Sequence, residues 1–200
     1  MSSNTFKIGL FPLGIFLLPG EELPLRIFEP RYKQLIEECI AQELPFGIPF
    51  IKEGEIQLYG TIAEVVKVSG KNPNGDMVIL IKGTGNFEML DFMPVLPDKL
   101  YGGGYIKKLP NTYTSTNASL AVLVKKLQLN ISPQLGTLIT AEAINLFDVA
   151  KALMLGSIDK YRFFTLFNSA LMEQFLLKQL QFVEKIREQE NALQNNFQLN

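Results

Sequence analysis

The stretch LPLRIFEPRY, residues 23–32, closes an oily run that begins at Phe11, and it mixes two patterns. A buried strand should not carry Arg26 and Glu29, and an ordinary surface loop should not carry Leu23, Leu25, Ile27 and Phe28. A strand over 23–28 that turns directly into a helix reconciles them. Pro30 suits the first helical position, where its missing N–H would have no partner anyway, and Glu29 sets negative charge beside the positive helix end. Beyond it, Tyr32, Leu35, Ile36, Cys39 and Ile40 recur at spacings of three and four, one apolar stripe along a helix.

Outward from this corner, the first half reads as strands. Residues 7–10, 23–28, 46–51, 57–68, 77–82, 87–93 and 105–109 are rich in Val, Ile, Phe and Tyr and are bounded by Gly, Pro, Asn or Asp. The cluster at 71–76, KNPNGD, holds an Asn-Gly pair that accepts positive φ, so the flanking strands form a hairpin. From about Ala118 the periodicity becomes helical, with start signals at Ser132-Pro133, Thr140, Asp159 and Asn168-Ser169. The last helix shows Leu171, Phe175, Phe182, Val183, Ile186 and Leu193 on one face. Either it dimerises through Phe175, Phe182 and Ile186, giving a homodimer, or it buries them within the chain. The fold class is therefore α+β: a β-rich half at 1–110 with one inserted helix, then an α-helical half at 111–200 ending in a long helix, joined at NTYTSTN, residues 111–117.

Composition narrows the chemistry. The 200 residues are 47% hydrophobic and 20% charged, a folded chain's balance, with formal net charge −1. Eleven basic residues face thirteen acids in 1–110 and eight face seven beyond, so neither half advertises a polyanionic partner, which argues against nucleic acid. There is no histidine, which excludes imidazole bases, histidine triads and histidine zinc sites. The single cysteine, Cys39, allows no internal disulfide and no Cys-x-x-Cys motif; on the apolar stripe it reads as a small core residue. Asn117-Ala118-Ser119 and Asn130-Ile131-Ser132 match a glycosylation sequon that chance supplies easily. The apolar run at 8–18 is broken by Pro12 and lacks a small-x-small cleavage pattern, and nothing approaches the roughly 20 apolar residues of a spanning helix. A cytoplasmic chain with no membrane association is expected.

Short motifs resolve mostly into architecture. Ser157-Ile158-Asp159-Lys160 has the Ser-x-x-Lys spacing of a lysine-activated serine, but the companion Ser-Asp-Asn and Lys-Thr-Gly motifs are missing, and Asp159 suits a helix cap. Gly83-Thr84-Gly85 completes no phosphate-binding pattern and reads as a turn between strands. Gly102-Gly103-Gly104 marks a strand entry or a close backbone approach. The acid pairs at Glu21-Glu22, Glu37-Glu38 and Glu53 with Glu55 read as solvated surface. No catalytic residue, metal ligand or cofactor site follows. Phe11, Phe16, Leu17, Leu18, Phe46, Phe50, Phe92 and Met93 are many large side chains for a β half of this size. They are either core or the lining of a groove for apolar polypeptide segments.

These residues also carry a likeness. Phe11-Pro12-Leu13, Leu18-Pro19-Gly20-Glu21, LPLRIFEPRYKQLIEECI, Phe46-Gly47-Ile48 and Gly60-Thr61-Ile62-Ala63 resemble the amino-terminal substrate-binding domain of Lon proteases. MVILIKGTGNFEML, YGGGYIKKLP, LFDVAKALML and DKYRFF look like later elements of that domain, so the likeness spans about residues 8–190. It implies a PUA-like β barrel followed by a helical bundle. It also implies a non-enzymatic module that contacts unfolded or degron-bearing polypeptides, accessory to ATP-dependent proteolysis, with a protease or chaperone as partner. The 200 residues hold no P-loop and no room for the Ser-Lys peptidase, so proteolysis does not carry over to this stand-alone domain. Asn86 stands where the family usually places arginine, which puts any partner contact made by that arginine in doubt. Because PUA-like barrels elsewhere bind RNA, an RNA or nucleotide-binding module is the alternative.

Within that picture the charges of the opening stretch are architectural. Leu25 and Ile27 point inward, Arg26 faces the rim, and Arg26 or Arg31 pairs a carboxylate such as Glu29, bracing a corner formed by Arg26, Glu29, Pro30 and Arg31. If that pair is enclosed, removing one partner costs about 3–5 kcal/mol, and Arg26→Ala lowers the melting temperature.

Overall fold

The computed structural model describes residues 4–128 and 143–197, and the chain divides into two units, Met1–Asn111 and Thr112–Asn200. The start signals expected at Ser132-Pro133 and Thr140, and the side chain of Leu193, lie outside the described residues.

In the first unit the strands are β1 (Thr5–Leu10), β2 (Glu22–Ile27), β3 (Phe46–Lys52), β4 (Glu55–Lys71), β5 (Met77–Met89) and β6 (Gly102–Lys108), with α1 (Pro30–Gln42) inserted after β2. Their order is β2-β5-β4-β3-β1-β6, and β6 also pairs β5 through Phe87, Glu88 and Met89, so five strands close into a barrel. Strands β4 and β5 are too long for the barrel alone. Their far ends, joined by the hairpin at 71–76 where Gly75 takes φ 78°, run on as a ribbon that β2 extends along Met77–Lys82. Helix α1 buries Tyr32, Leu35, Ile36 and Cys39 in one cluster with Ile27, Met77, Ile79 and Ile81 of that ribbon. A second cluster, Ile8, Leu10, Ile62, Phe87 and Ile106, contains residues from four of the barrel strands.

Two expectations about β5 are corrected. The stretches 77–82 and 87–93 are not separate strands, and Gly83-Thr84-Gly85 is not a turn: β5 continues through it, with Gly83 opposite Ala63 and Gly85 opposite Ile62. Thr84 is the extra residue of a bulge, which bends a strand without ending it. A side chain at Gly83 would press on the Leu18 carbonyl at 3.1 Å, so close packing accounts for this glycine. The same holds at Gly104, where a Cβ would collide with the carbonyl oxygen of Asp91.

The second unit contains a two-stranded ladder of β7 (Thr114–Ser115) and β8 (Ile144–Asn145) with α2 (Ala118–Gln128), α3 (Leu146–Ala152), α4 (Ser157–Phe164) and α5 (Ser169–Phe197). Asn117 caps α2 through the amide of Ser119 (2.8 Å), Asn145 caps α3 through Phe147 (2.9 Å), and Asn168 accepts from Leu171 (3.1 Å) at the start of α5. Helix α4 begins two residues before Asp159, with Gly156 as its cap, which leaves Asp159 in the first turn. On α5 the alternative of burial within the chain does not hold for the face as a whole. Met172, Leu176 and Leu180 are fully enclosed, while Leu171, Phe182 and Ile186 are exposed, Phe182 by 61%.

Candidate functional site

The opening corner is built at Arg31 rather than Arg26. Arg31 lies 2.7 Å from Glu29 and 4.6 Å from the Tyr32 ring centroid, and Tyr32 stacks on Phe11 with centroids 3.8 Å apart. Arg26 points outward from β2, 72% exposed, and reaches Asp76 of the hairpin at 3.6 Å; Lys33 holds the same carboxylate at 2.8 Å. The hydrogen bond from Lys33, helped by the Lys33 charge, Asn72 and Arg26 and outweighing the opposing effect of burial, holds the Asp76 carboxyl below its usual range. Neither pair is enclosed, so the expected cost of breaking a buried ion pair does not apply to Arg26.

Six of the eight candidate groove residues are core. Phe11, Phe16, Leu17, Leu18, Phe46 and Phe50 are all buried, and Phe92 and Met93 are half-buried, with Met93 bridging to Gly103. The connection over 11–21 does not hang over the surface because its polar groups are satisfied inside. The Leu17 amide donates to Thr61 Oγ1 (2.9 Å), and the Leu17 carbonyl accepts from the Thr61 hydroxyl (3.1 Å) and from Asn86 Nδ2 (2.9 Å). Asn86 is fully buried, so the residue that replaces the expected arginine fastens this connection instead of reaching a partner.

An open groove with aliphatic side chains on a largely polar lining does exist, but elsewhere. It lies between the end of α1 and the start of the ribbon, with a volume of about 450 Å³, and is lined by Cys39, Ile40, Glu43, Leu44 and residues 64–68 of β4. Ile40, Leu44, Val66 and Val68 are 41%, 51%, 48% and 42% exposed, four aliphatic side chains turned to solvent around one hollow. Glu43 takes a left-handed conformation, φ 54°, ending α1 and swinging the chain so that Leu44 stands at the rim. Sequence pattern placed Ile40 on the buried stripe; it sits one position past Cys39, where the stripe leaves the sheet. The signal that marks the groove is the valine-rich run of β4 continuing beyond the length that β3 can pair.

The thiol in the groove is not activated. Burial, then the nearby Glu38 charge, pushes the Cys39 thiol up to about 11, far from a thiolate at neutral pH. Glu38 itself accepts from Lys99 (2.7 Å) and from the Tyr101 hydroxyl (2.6 Å), which ties α1 to the residues before β6. Among the described residues no group of three or more Cys, Asp or Glu side chains is arranged to hold a metal ion, and no helix is long and apolar enough to cross a membrane.

The comparisons agree with this architecture. The sequence model of the ATP-dependent protease La (LON) substrate-binding domain matches residues 7–195. No curated protein matches the sequence. Among solved structures, a Lon N-terminal domain protein from Xanthomonas campestris superposes with TM-score 0.57 at 23% identity, covering 79% of this chain and 89% of that one. The N-terminal domain of the Mycobacterium avium complex Lon protease gives TM-score 0.62 at 12% identity over 88% and 98%. With a family match over nearly its whole length and two superpositions that support the same fold, the chain belongs to the Lon substrate-binding domain family.

Proposed function

We propose that this protein is a non-catalytic module that captures extended, apolar segments of unfolded polypeptides in the groove between α1 and β4, as an accessory to ATP-dependent proteolysis. The observation that carries the reading is the gathering of four exposed aliphatic side chains, Ile40, Leu44, Val66 and Val68, around one hollow. Folded partners hide such aliphatic runs and unfolded ones present them, so the groove selects for the unfolded state. Its charged rim carries Glu43 and Glu64 against Lys67, a balance that disfavours RNA.

The test is a titration with a permanently unfolded, reduced and alkylated test protein beside its native form. Micromolar binding of the unfolded form alone is expected, weakened about tenfold or more by the double substitution Ile40→Glu, Val66→Glu. Equal affinity for both forms, or for the double variant, sinks the assignment.

A further inference from the structure

The groove runs along a strand edge. Strand β3 pairs β4 only as far as Ala63, opposite Phe46, whereas β5 follows β4 out to Lys71. From Glu64 onward, therefore, one side of β4 has no strand against it among the described residues. Side chains of a strand alternate between its faces, so a hollow over one face is lined by every second residue. This hollow is lined by five consecutive residues, 64–68, as an edge with a bulge at Val66 allows.

We infer that residues 64–68 of β4 form a docking strand: an extended polypeptide segment adds beside them, pairing its backbone with β4 and seating alternate apolar side chains on Ile40 and Leu44. The inference rests on the polypeptide-binding reading and supplies its mode of recognition, in which main-chain hydrogen bonds give sequence-tolerant affinity and pockets select alternate side chains.

Three features favour that occupant. Among the described residues the outer edge of β2 also lacks a neighbouring strand, yet it carries Glu22, Pro24 and Arg26, with a proline that blunts an edge; the β4 edge carries Val65, Val66 and Val68 between Glu64 and Lys67, and no proline. The register shift at Val65/Lys67 leaves Val66 as an extra residue within 64–68, and a second shift follows at Val68/Gly70, so the docking strand is bent and pairs only a short segment without templating open-ended sheet growth. Glu43 and Glu64 line the hollow and pair with no cation among the described residues, which favours a segment bearing a basic residue beside its apolar ones.

The decisive probe is a capped eight-residue peptide, Lys-Val-Thr-Val-Thr-Val-Thr-Lys, compared with two analogues, one N-methylated at its valines and one at its threonines. In an added strand only alternate amides face the neighbour. One analogue therefore loses about tenfold or more in affinity while the other binds within about twofold to threefold of the parent. Those amides of residues 64–68 that face away from β5 also gain protection from hydrogen exchange when the parent peptide is bound. If both analogues bind like the parent, or 64–68 gain no protection, strand addition is wrong while capture of unfolded chains stands. If the peptide and the unfolded test protein both fail to bind, both readings fall. A dimer formed through this edge without peptide overturns the assignment of the occupant.

Discussion

Asn86 shows how one polar side chain decides the surface of this unit. Its Nδ2 fastens the Leu17 carbonyl, while its Oδ1 is buried without a hydrogen-bond partner among the described residues, so the amide acts through its donor alone. Asn86→Ala leaves the Leu17 carbonyl with only Thr61, and the expected loss is about 1–3 kcal/mol in urea unfolding. Arg26→Ala removes only a solvent-exposed pair and should stay within about 0.5 kcal/mol of the parent. The reverse ranking would restore the braced corner read from the sequence. Glu38 and Tyr101 define a pH window. Lys99 first, then Tyr101, holds the Glu38 carboxyl below its ordinary value of 4.5, so this contribution is complete above that value and fades as acid protonates the folded carboxylate. Burial first, then Glu38, pushes the Tyr101 phenol up, so that contribution is complete below its ordinary 10.0 and fades as base ionises the folded phenol. Tyr101→Phe should flatten the alkaline limb of stability against pH and keep the Lys99-dependent part of the acid limb; Glu38→Gln should flatten both.

Elements were legible where a single physical rule governed them. The hairpin at 71–76 and the Pro30 helix start follow from local backbone chemistry, and the observed Pro30–Gln42 helix and Gly75 turn obey it. Gly83-Thr84-Gly85 was misread because glycine serves both turns and crowded strands, and only the Leu18 carbonyl beside Gly83 separates the two. On α5 two apolar stripes overlap. Residues 172, 176 and 180 compete with 171, 175, 182 and 186, and periodicity alone does not say which is enclosed. Leu180→Ala should therefore cost about 2–5 kcal/mol in the second unit, and Phe182→Ala within about 0.5 kcal/mol. Thermal denaturation of the two variants side by side ranks the faces; a larger loss at Phe182 would contradict the burial described.

At the scale of the molecule, the family was legible and the site was not, for one reason. Several residues within the stretches that carry the family likeness, such as Phe11, Leu18 and Ile27, are core, and core residues announce a fold without touching a ligand. The groove instead arises from a mismatch of lengths, β4 outrunning β3, which the valine-rich run of β4 signals only once its pairing with β3 is known. Charge completes the argument. With net charge −1, association that rests on apolar contact and backbone pairing releases few counterions. Raising salt from about 50 to 200 mM should then change affinity for an unfolded chain by less than about threefold, whereas a polyanion held by six to ten phosphate contacts would lose roughly 10³ to 10⁵. Fluorescence anisotropy with the labelled unfolded protein and a labelled single-stranded RNA, across that range, separates the two: a shallow slope for the protein supports the groove, and a steep slope with tighter RNA binding would return the chain to the nucleic-acid reading.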